Sequence, residues 1–339
     1  MYKRTILIPS NRNLSAIKEN FDSSLNYVES LENIDLLLTD NSCDEKKKQY
    51  FQQIKNEKFK YLESNFQGPS DNFYYGLQQA QSEYLLGLGD DDKILRLGDD
   101  YFDNVRTDFV GVRPSFVVYT KKRGVENFSN FSILEDTPIK RINEYFAKCA
   151  GNNNTLYSFF KKDIHLNIQK VLQNHPFRNT GYFDWAIVIS FLAEGKVISD
   201  PSTVIFYDNE RWSSTEIIHQ SVLNLFKKNG LNPKLSNYLL LLLAFDSFIL
   251  LSREDSALNI NEKYSTALIV MNSYLKNFFS SLNLDNYDVK EINFINKIMS
   301  INDVNAKFKI FFELIDYLSP GKAEQYNNFF QLSTGNNIL

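Results

Sequence analysis

Three consecutive aspartates, Asp90-Asp91-Asp92, follow directly after the apolar run from Tyr84 to Leu88. Carboxylates this close repel one another, and a bound cation neutralises such a cluster. Oxygen-only ligands favour hard ions such as Mg²⁺ or Mn²⁺. A solvated acidic turn or a helix cap explains the same three residues without any chemistry. The position of the triplet among the surrounding strands and helices must decide between a cation site and a structural turn or cap.

The composition narrows the range of functions. The chain has 339 residues, of which 43% are apolar, enough for one large domain or two of ordinary size. Its net charge of −4 predicts no nucleic-acid partner. Two cysteines, Cys43 and Cys149, are too few for a disulfide framework and favour a cytoplasmic setting. The apolar segment after the first residues is too short for a signal peptide.

Strands and helices alternate along the first hundred residues. Short apolar segments predict strands at 5–8, 34–38, 59–62 and 84–88, and helical periodicity lies between them. Such alternation predicts a parallel sheet with right-handed crossovers, whose ligands bind outside the carboxyl ends of the strands. Three polar clusters fall at that edge, which favours a ligand site over an acidic turn. They are Pro9-Ser10-Asn11-Arg12, Asp40-Asn41-Ser42 and the aspartate triplet.

The remainder of the chain divides near residue 212. Before it, the pattern predicts strands at 109–112, 116–119, 155–160, 197–198 and 203–207, and a helix at 185–193. After it, the pattern is helical only, with segments at 215–229, 235–252, 262–281, 288–300 and 303–318. We therefore predict an α/β domain at 1–212 and an all-α C-terminal domain at 213–339.

Four short segments follow one another in the first hundred residues. They are Ile6-Leu7-Ile8-Pro9-Ser10-Asn11-Arg12, the stretch Leu36 to Asp44, the stretch Gly68 to Leu77, and Tyr84-Leu85-Leu86 with the aspartate triplet. Together they resemble the Pro-x-Asn-Arg, Asp-x-Ser-x-Asp, Gly-x-x-x-Asn-x-x-x-Gly and Asp-x-Asp elements of family 2 glycosyltransferases. The resemblance covers roughly residues 4–212. It implies the GT-A fold, a Rossmann-like, mostly parallel sheet flanked by helices.

The resemblance also implies roles around a nucleotide-sugar donor. Asp92 would be the direct ligand of Mn²⁺ or Mg²⁺, and Asp90 would share the metal and hold the donor. Asp91 would be secondary in either role. Asp40 would accept a hydrogen bond from the ring N–H of the base, which suits uracil. The other donor-binding residues by resemblance are Pro9, Asn11, Arg12 and Asn72. A capped turn for Asp40 and a solvated loop for Arg12 are the alternatives.

A catalytic base is the next group that the resemblance implies. The segment Asn179 to Trp185 fits the family's helix start after the later strands, with Asp184 as the base. Phe183 stands where the family has the first acid of a pair. The alternative is that Asp184 only caps its helix, where the dipole favours a negative charge.

The family's usual Arg-x-His is missing after the strand at 203–207. The chain reads Tyr207-Asp208-Asn209-Glu210-Arg211-Trp212 there. Arg211 would clamp the donor diphosphate, since its fork matches phosphate oxygens. Whether Glu210, Arg211 or His219 replaces the missing histidine stays open.

The helical segment after residue 212 matches no motif. A packing domain, a homodimer through its helices, an acceptor site and a peripheral membrane contact are the alternatives. The apolar run Tyr238 to Leu251 is shorter than the ~20 residues that a bilayer needs and contains Asp246, so we predict a buried helix.

These observations predict an inverting, metal-dependent glycosyltransferase. It would move a sugar from a UDP-type donor to a saccharide or a lipid-linked saccharide in surface polysaccharide biosynthesis, such as capsule or lipopolysaccharide. It would act in the cytoplasm or at the inner face of the membrane. A nucleotidyltransferase or a dehydrogenase needs a glycine-rich loop after the first strand, and Pro9-Ser10-Asn11-Arg12 has no glycine. A non-catalytic glycan-binding or scaffolding protein on the same fold is the remaining alternative.

Overall fold

The computed structural model describes residues 2–66, 68–104, 109–210 and 214–335. The chain forms two compact units. The first consists of Met1–Asn167 and Glu194–Ser214, and the second consists of Ile168–Ala193 and Thr215–Leu339. The second unit thus includes a segment that the predicted boundary at 212 assigns to the first domain, and that boundary stays a prediction.

The first unit begins with alternating strands and helices, as the sequence predicts. The elements are β1 (Arg4–Ser10), α1 (Leu14–Glu29), β2 (Ile34–Asp40), α2 (Glu45–Gln52), β3 (Phe59–Glu63), α3 (Pro69–Gln79) and β4 (Tyr84–Gly87). Strand β1 pairs in parallel with β2 and β4, and β2 pairs in parallel with β3. The predicted α/β class is confirmed, and this part of the sheet is parallel throughout.

The later strands make the sheet mixed. They are β5 (Lys93–Arg96), β6 (Phe109–Thr120), β7 (Gly124–Ser129), β8 (Phe159–Lys161) and β9 (Lys196–Asp208), with helices α4 (Pro138–Lys148) and α5 (Lys162–Leu172) between them. The sheet has nine strands in the order β3-β2-β1-β4-β8-β6-β9-β5, and β7 pairs with β6. Strands β6 and β9 are parallel, whereas β5, β7 and β8 pair antiparallel to their neighbours.

Two predicted strand breaks are absent from the described residues. The segments 109–112 and 116–119 form one strand, β6, because Arg113 is buried rather than solvated. Its guanidinium lies 3.8 Å from the ring centre of Phe131 and donates to Asn154 at 2.8 Å. The segments 197–198 and 203–207 also join, as β9. The predicted strand at 155–160 was wrong in its first half, since Asn154–Leu156 form a 3₁₀ turn.

Both faces of the parallel part are covered by helices. Ile6 and Ile8 of β1 pack in one core cluster with residues of α1 and α2, whereas Leu7 packs in another with Leu77 of α3. Continuous apolar strands are typical of parallel sheets buried on both faces. Gly76 of α3 permits the close approach, because a Cβ there would lie 2.4 Å from Leu7 Cδ1. Packing on both faces therefore positions the carboxyl edge of the sheet.

The second unit is helical. Its helices are α6 (Asp184–Glu194), α7 (Thr215–Lys228), α8 (Leu239–Leu251), α9 (Ile260–Ser280), α10 (Val289–Ser300), α11 (Val304–Leu318) and α12 (Lys322–Thr334). The predicted helices after residue 214 are confirmed to within a few residues at their ends, except that the segment predicted to begin at 235 begins as a 3₁₀ turn over Pro233–Tyr238. Helix α12 was not predicted, because its sequence has little amphipathic pattern.

Helix α8 is the apolar centre of the second unit. Among the described residues, one helical run, Pro233–Leu251, is long and apolar enough to cross a membrane by length and composition alone, and 78% of its apolar window is buried inside the protein. A core helix passes the same test. The peripheral membrane contact stays a prediction.

Asp246 of α8 is fully buried and ties three segments together. His175 Nε2 lies 3.1 Å from Asp246 Oδ1, and the Tyr182 hydroxyl donates to Oδ2 at 2.7 Å. The Tyr326 hydroxyl of α12 donates to Oδ1. His175 Nδ1 accepts from the Phe177 N–H at 2.9 Å, so Nε2 carries the proton. Burial and the charge of Asp246 raise the pKa of both tyrosines well above the ordinary value, which keeps them as donors.

Replacement of Asp246 by alanine should strongly destabilise the protein. Three buried donors would lose their acceptor, and we expect the free energy of unfolding in urea to fall by about 3–5 kcal/mol. Tyr326→Phe removes one donor and should cost about 1.5–3 kcal/mol. The exposed Asp285→Asn is the control and should stay within about 0.5 kcal/mol of the unmodified protein. Equal stability of Asp246→Ala would show that the network contributes nothing.

Candidate functional site

The three predicted polar clusters lie at one edge of the sheet in the first unit. Ser10 ends β1 and is paired with Asp40, which ends β2. Strand β4 pairs with β1 on its other side and leads through Leu88 and Gly89 into the aspartate triplet. The fold therefore brings Ser10, Asp40 and Asp90 together, as their positions after parallel strands predict.

A buried lysine of α2 connects these strand ends. Lys47 is fully buried, and its Nζ donates to Asp40 Oδ1 at 2.8 Å, to Ser10 Oγ at 2.8 Å and to the Arg12 carbonyl at 2.9 Å. Ser10 Oγ in turn donates to Asp90 Oδ2 at 2.6 Å. Burial lowers the pKa of Lys47, and the bond to Asp40 opposes that shift. The result is a continuous chain of hydrogen bonds from Asp40 to Asp90.

Sequence reasoning missed Lys47. It lies within Lys46-Lys47-Lys48, a run that is typical of a solvated helix face. The available signal was the position of Asp44, whose carboxylate caps α2 by accepting from the N–H groups of Lys46 and Lys47. That cap fixes the start of α2 beside the end of β2 and so fixes which lysine turns inward.

The carboxylate of Asp40 is already well bonded. Besides Lys47, Oδ1 accepts from the Ser42 N–H at 2.9 Å, and Oδ2 accepts from the Tyr61 hydroxyl at 2.8 Å. A carboxylate has about four lone-pair sites, so one remains for the ring N–H of a base. The predicted role of Asp40 is compatible with this geometry and stays a prediction.

Arg12 partly neutralises the aspartate triplet. Its Nη2 donates to Asp91 Oδ2 at 2.5 Å, and its Nε lies 3.3 Å from Asp90 Oδ1. Burial works to lower the pKa of Arg12, but the charges of Asp90 and Asp91 raise it overall. The repulsion within the triplet is therefore relieved in part by the protein itself, and Asp92 is the member that these two ion pairs leave out.

Asp92 has the most unusual environment of the three. It is 2% exposed, and Oδ1 accepts from the Asp208 N–H at 3.0 Å. Its Oδ2 is buried and has no hydrogen-bond partner among the described residues. Burial, followed by the charge of Asp91, raises the pKa of Asp92 well above the usual range. Gly89 allows this packing, because a Cβ there would lie 2.7 Å from Oδ2.

The donor chemistry of Asp92 fits a hard divalent cation. Mg²⁺ and related ions are commonly held by one or two carboxylates together with the phosphates of a substrate. Among the described residues, no group of three His, Cys, Asp or Glu side chains is placed to hold a metal ion. A cation at Asp92 would therefore take further oxygens from a bound diphosphate.

The remaining predicted donor residues occupy varied positions. Asn72, in the first turn of α3, is buried, and its Nδ2 donates to the Thr39 carbonyl at 3.1 Å beside Asp40. Its Oδ1 has no partner among the described residues. Pro9 lies within β1, and Asn11 is exposed after it. The predicted Arg211 lies outside the described residues.

Asp184 belongs to the second unit. It is the first residue of α6, where the helix dipole favours a carboxylate. Burial raises the pKa of Asp184 to about 7 although part of its side chain is accessible. Phe183, which stands in place of the family's first acid, is buried in the core. The group can therefore exchange a proton near neutral pH.

Comparison with known proteins agrees with the first-unit geometry. Residues 5–96 match the sequence model described as Glycosyl transferase family 2. This segment of the chain is similar to family 2 glycosyltransferases. The match spans β1 to β5 and contains every predicted donor-binding residue except Arg211, and it confirms the predicted family and enzyme class. No curated protein matches the sequence.

Solved structures show the same fold over nearly the whole chain. The crystal structure of S. aureus TarS 1-349 has a TM-score of 0.53 and 14% identity, covering 97% of this chain and 90% of that one. The structure of the same TarS fragment in complex with UDP-GlcNAc has a TM-score of 0.52 and 12% identity at the same coverage. Because only 14% and 12% of the aligned residues are identical, these similarities establish the fold and nothing about activity.

Replacement of Asp92 by asparagine should stabilise the protein at neutral pH. The native state holds the Asp92 proton more tightly than the unfolded chain, so its contribution to stability falls as the pH rises above about 4. Asparagine keeps the acceptor for the Asp208 N–H and avoids this loss. We expect the variant to gain about 1.4 kcal/mol per unit of pKa shift at pH 8 and little at pH 4, measured by urea unfolding. A variant less stable than the unmodified protein at pH 8 would contradict a raised pKa of Asp92 in the native state.

Proposed function

We propose that this protein is an inverting glycosyltransferase that uses a UDP-type sugar donor and a divalent cation. The observation that carries the proposal is Asp92, a buried carboxylate with one unpartnered oxygen at the carboxyl edge of the sheet. Its charge is costly in the protein alone, and a cation and a diphosphate at that edge would offset the cost.

The donor would lie across the carboxyl edge of the first unit. Asp40 would accept the ring N–H of the base, as uracil presents it, while Pro9, Asn11 and Arg12 would line the base pocket. Asn72 fixes the backbone before Asp40 through the Thr39 carbonyl. Lys47 holds the Asp40 carboxylate in place as an acceptor, because its Nζ donates to Asp40 Oδ1 at 2.8 Å in a buried contact.

Asp92, with Asp90, would hold the Mn²⁺ or Mg²⁺ ion. When bound, the ion supplies positive charge to the diphosphate as negative charge develops on it. Ser10 Oγ and Arg12 hold Asp90 from two sides, at 2.6 and 3.3 Å, so its carboxylate is oriented before the donor arrives. Arg211 would contribute a further clamp on the diphosphate.

Asp184 would be the general base. It would take the proton of the acceptor hydroxyl as that oxygen attacks the anomeric carbon and the bond to the diphosphate oxygen breaks. Direct displacement inverts the anomeric configuration. A pKa of about 7 is close to the optimum for a base at neutral pH.

The acceptor would be a saccharide or a lipid-linked saccharide of a surface polysaccharide, such as capsule or lipopolysaccharide. The protein would work in the cytoplasm or at the inner face of the membrane, as a monomer or as a dimer through its helical unit. The second candidate function is non-catalytic glycan binding, which the replacement of the first acid by Phe183 favours.

Nucleotide titration tests the donor site. We expect UDP to bind more tightly with Mn²⁺ than without it, as measured by calorimetry, and GDP to bind more weakly than UDP. Asp92→Ala should remove most of the metal dependence, since it deletes the buried ligand. Asp99→Ala changes an exposed aspartate outside the site and serves as the control. Equal UDP binding with and without Mn²⁺ would contradict the metal-dependent mechanism.

Replacement of Asp184 by asparagine tests the base. UDP release from a panel of UDP-sugars should fall by ~10²–10⁴-fold, while UDP binding stays unchanged. In the unmodified protein the rate should rise with pH up to about 7 and then level off, because the base acts when deprotonated. Asp163→Asn, in the first turn of α5, is the matched control and should keep full activity. Normal turnover in Asp184→Asn would remove Asp184 from the mechanism, and no turnover with any donor would favour the non-catalytic candidate.

A further inference from the structure

The second unit contains a cleft lined mainly by amide side chains. It has a volume of about 720 Å³, within the range of small-molecule sites. The segment 173–179, between α5 and α6, forms one wall. Gln325, Asn328 and Gln331, at three-residue steps along α12, form another, and Asn229 after α7 adds a further amide. We name this site the amide cleft.

Two polar atoms of the amide cleft have no hydrogen-bond partner. Gln173 Nε2 and Asn179 Oδ1 are both buried, and neither is bonded within the part of the chain that the structure describes. Each costs the fold about 1–3 kcal/mol while it stays unpaired. The exposed side chains of Asn328 and Gln331 each offer an amide donor and an amide acceptor to the cleft. A sugar hydroxyl also donates and accepts, so neighbouring hydroxyls on a ring would pair with these amides.

The charges in the amide cleft have one sign. Arg178 and Lys322 line it, and none of its lining residues within the described chain is acidic. Lys322 Nζ donates to Gln325 Oε1 at 2.8 Å, which leaves the amide nitrogen of Gln325 as the group offered to a ligand. Arg178 Nη1 donates to the main-chain carbonyl of Gln173 at 3.0 Å, which holds the guanidinium in the wall of the cleft. Cations next to amide donors suit a phosphate or a carboxylate.

We propose that the amide cleft binds a saccharide that carries an anionic substituent, either a phosphate or a carboxylate. This is a glycan site in the helical unit, separate from the residues assigned to the donor. The proposal rests on the proposed function only for the identity of the natural ligand, which would be the acceptor chain. Binding itself is measured without transfer.

Saturation-transfer NMR on the full chain tests the proposal with four probes. Glucose 6-phosphate and glucuronate carry both hydroxyls and a charge, glucose lacks the charge, and inorganic phosphate, followed by ³¹P line broadening, lacks the ring. We expect glucose 6-phosphate or glucuronate to bind about tenfold more tightly than glucose or phosphate, because only the charged sugars pair both kinds of group. Absence of binding by both charged sugars would overturn the proposal.

Variants locate the binding. Asn328→Trp should block the cleft, and Lys322→Gln should weaken the charged probes about tenfold while leaving glucose unchanged. Both positions allow solvent access, so folding should be retained, which urea unfolding checks. Asn296→Trp, at an exposed position of α10, is the matched control. Unchanged binding in Asn328→Trp would overturn the site.

Competition with UDP distinguishes probe binding in the amide cleft from probe binding at the donor site. Binding in the amide cleft should persist with saturating UDP and in Asp92→Ala, whereas a probe displaced by UDP belongs to the first unit and contradicts the proposal. Loss of Mn²⁺-dependent UDP binding with intact probe binding would overturn the proposed metal-dependent function alone. Intact Mn²⁺-dependent UDP binding with no probe binding would overturn the proposal for the amide cleft alone.

Discussion

The buried ammonium of Lys47 is the interaction on which the candidate donor site depends. It bonds to the ends of β1 and β2 directly, and Ser10 extends the chain of bonds to the turn after β4. Burying this charge is costly, and it is offset because all three of its donors find an oxygen and one of these belongs to the carboxylate of Asp40. Packing of the sheet alone would bring the strand ends together. Lys47 fixes how their side chains are oriented.

Asp92 shows the opposite arrangement. Lys47 and Asp40 satisfy each other within the fold, whereas Asp92 is left with an unpaired oxygen and a raised pKa. A fold tolerates such a conflict where a ligand resolves it, and local conflicts are concentrated at functional sites. Arg12 forms ion pairs with Asp90 and Asp91. Asp92 is therefore the member of the triplet that this arginine does not neutralise through an ion pair.

The sequence predicted those features that depend on local pattern. The apolar periodicity located β1 to β4 and most helices, and the order of strand ends placed Ser10, Asp40 and Asp90 at one edge. Prediction from the sequence failed where tertiary contacts bury a polar residue. Arg113 lies within β6 because residues distant in sequence accept its hydrogen bonds. Lys47 points into the protein because the Asp44 cap fixes the start of α2 and the ends of β1 and β2 supply its acceptors. A single sequence does not show which charged residue of a run will find such partners.

Asp246 explains why the segment before α6 belongs to the helical unit. Its carboxylate accepts from His175 and Tyr182 of that segment and from Tyr326 of α12. Tyr182 lies two residues before Asp184, and His175 is in the wall of the amide cleft. One buried carboxylate therefore fixes both the start of α6 and the wall of the cleft.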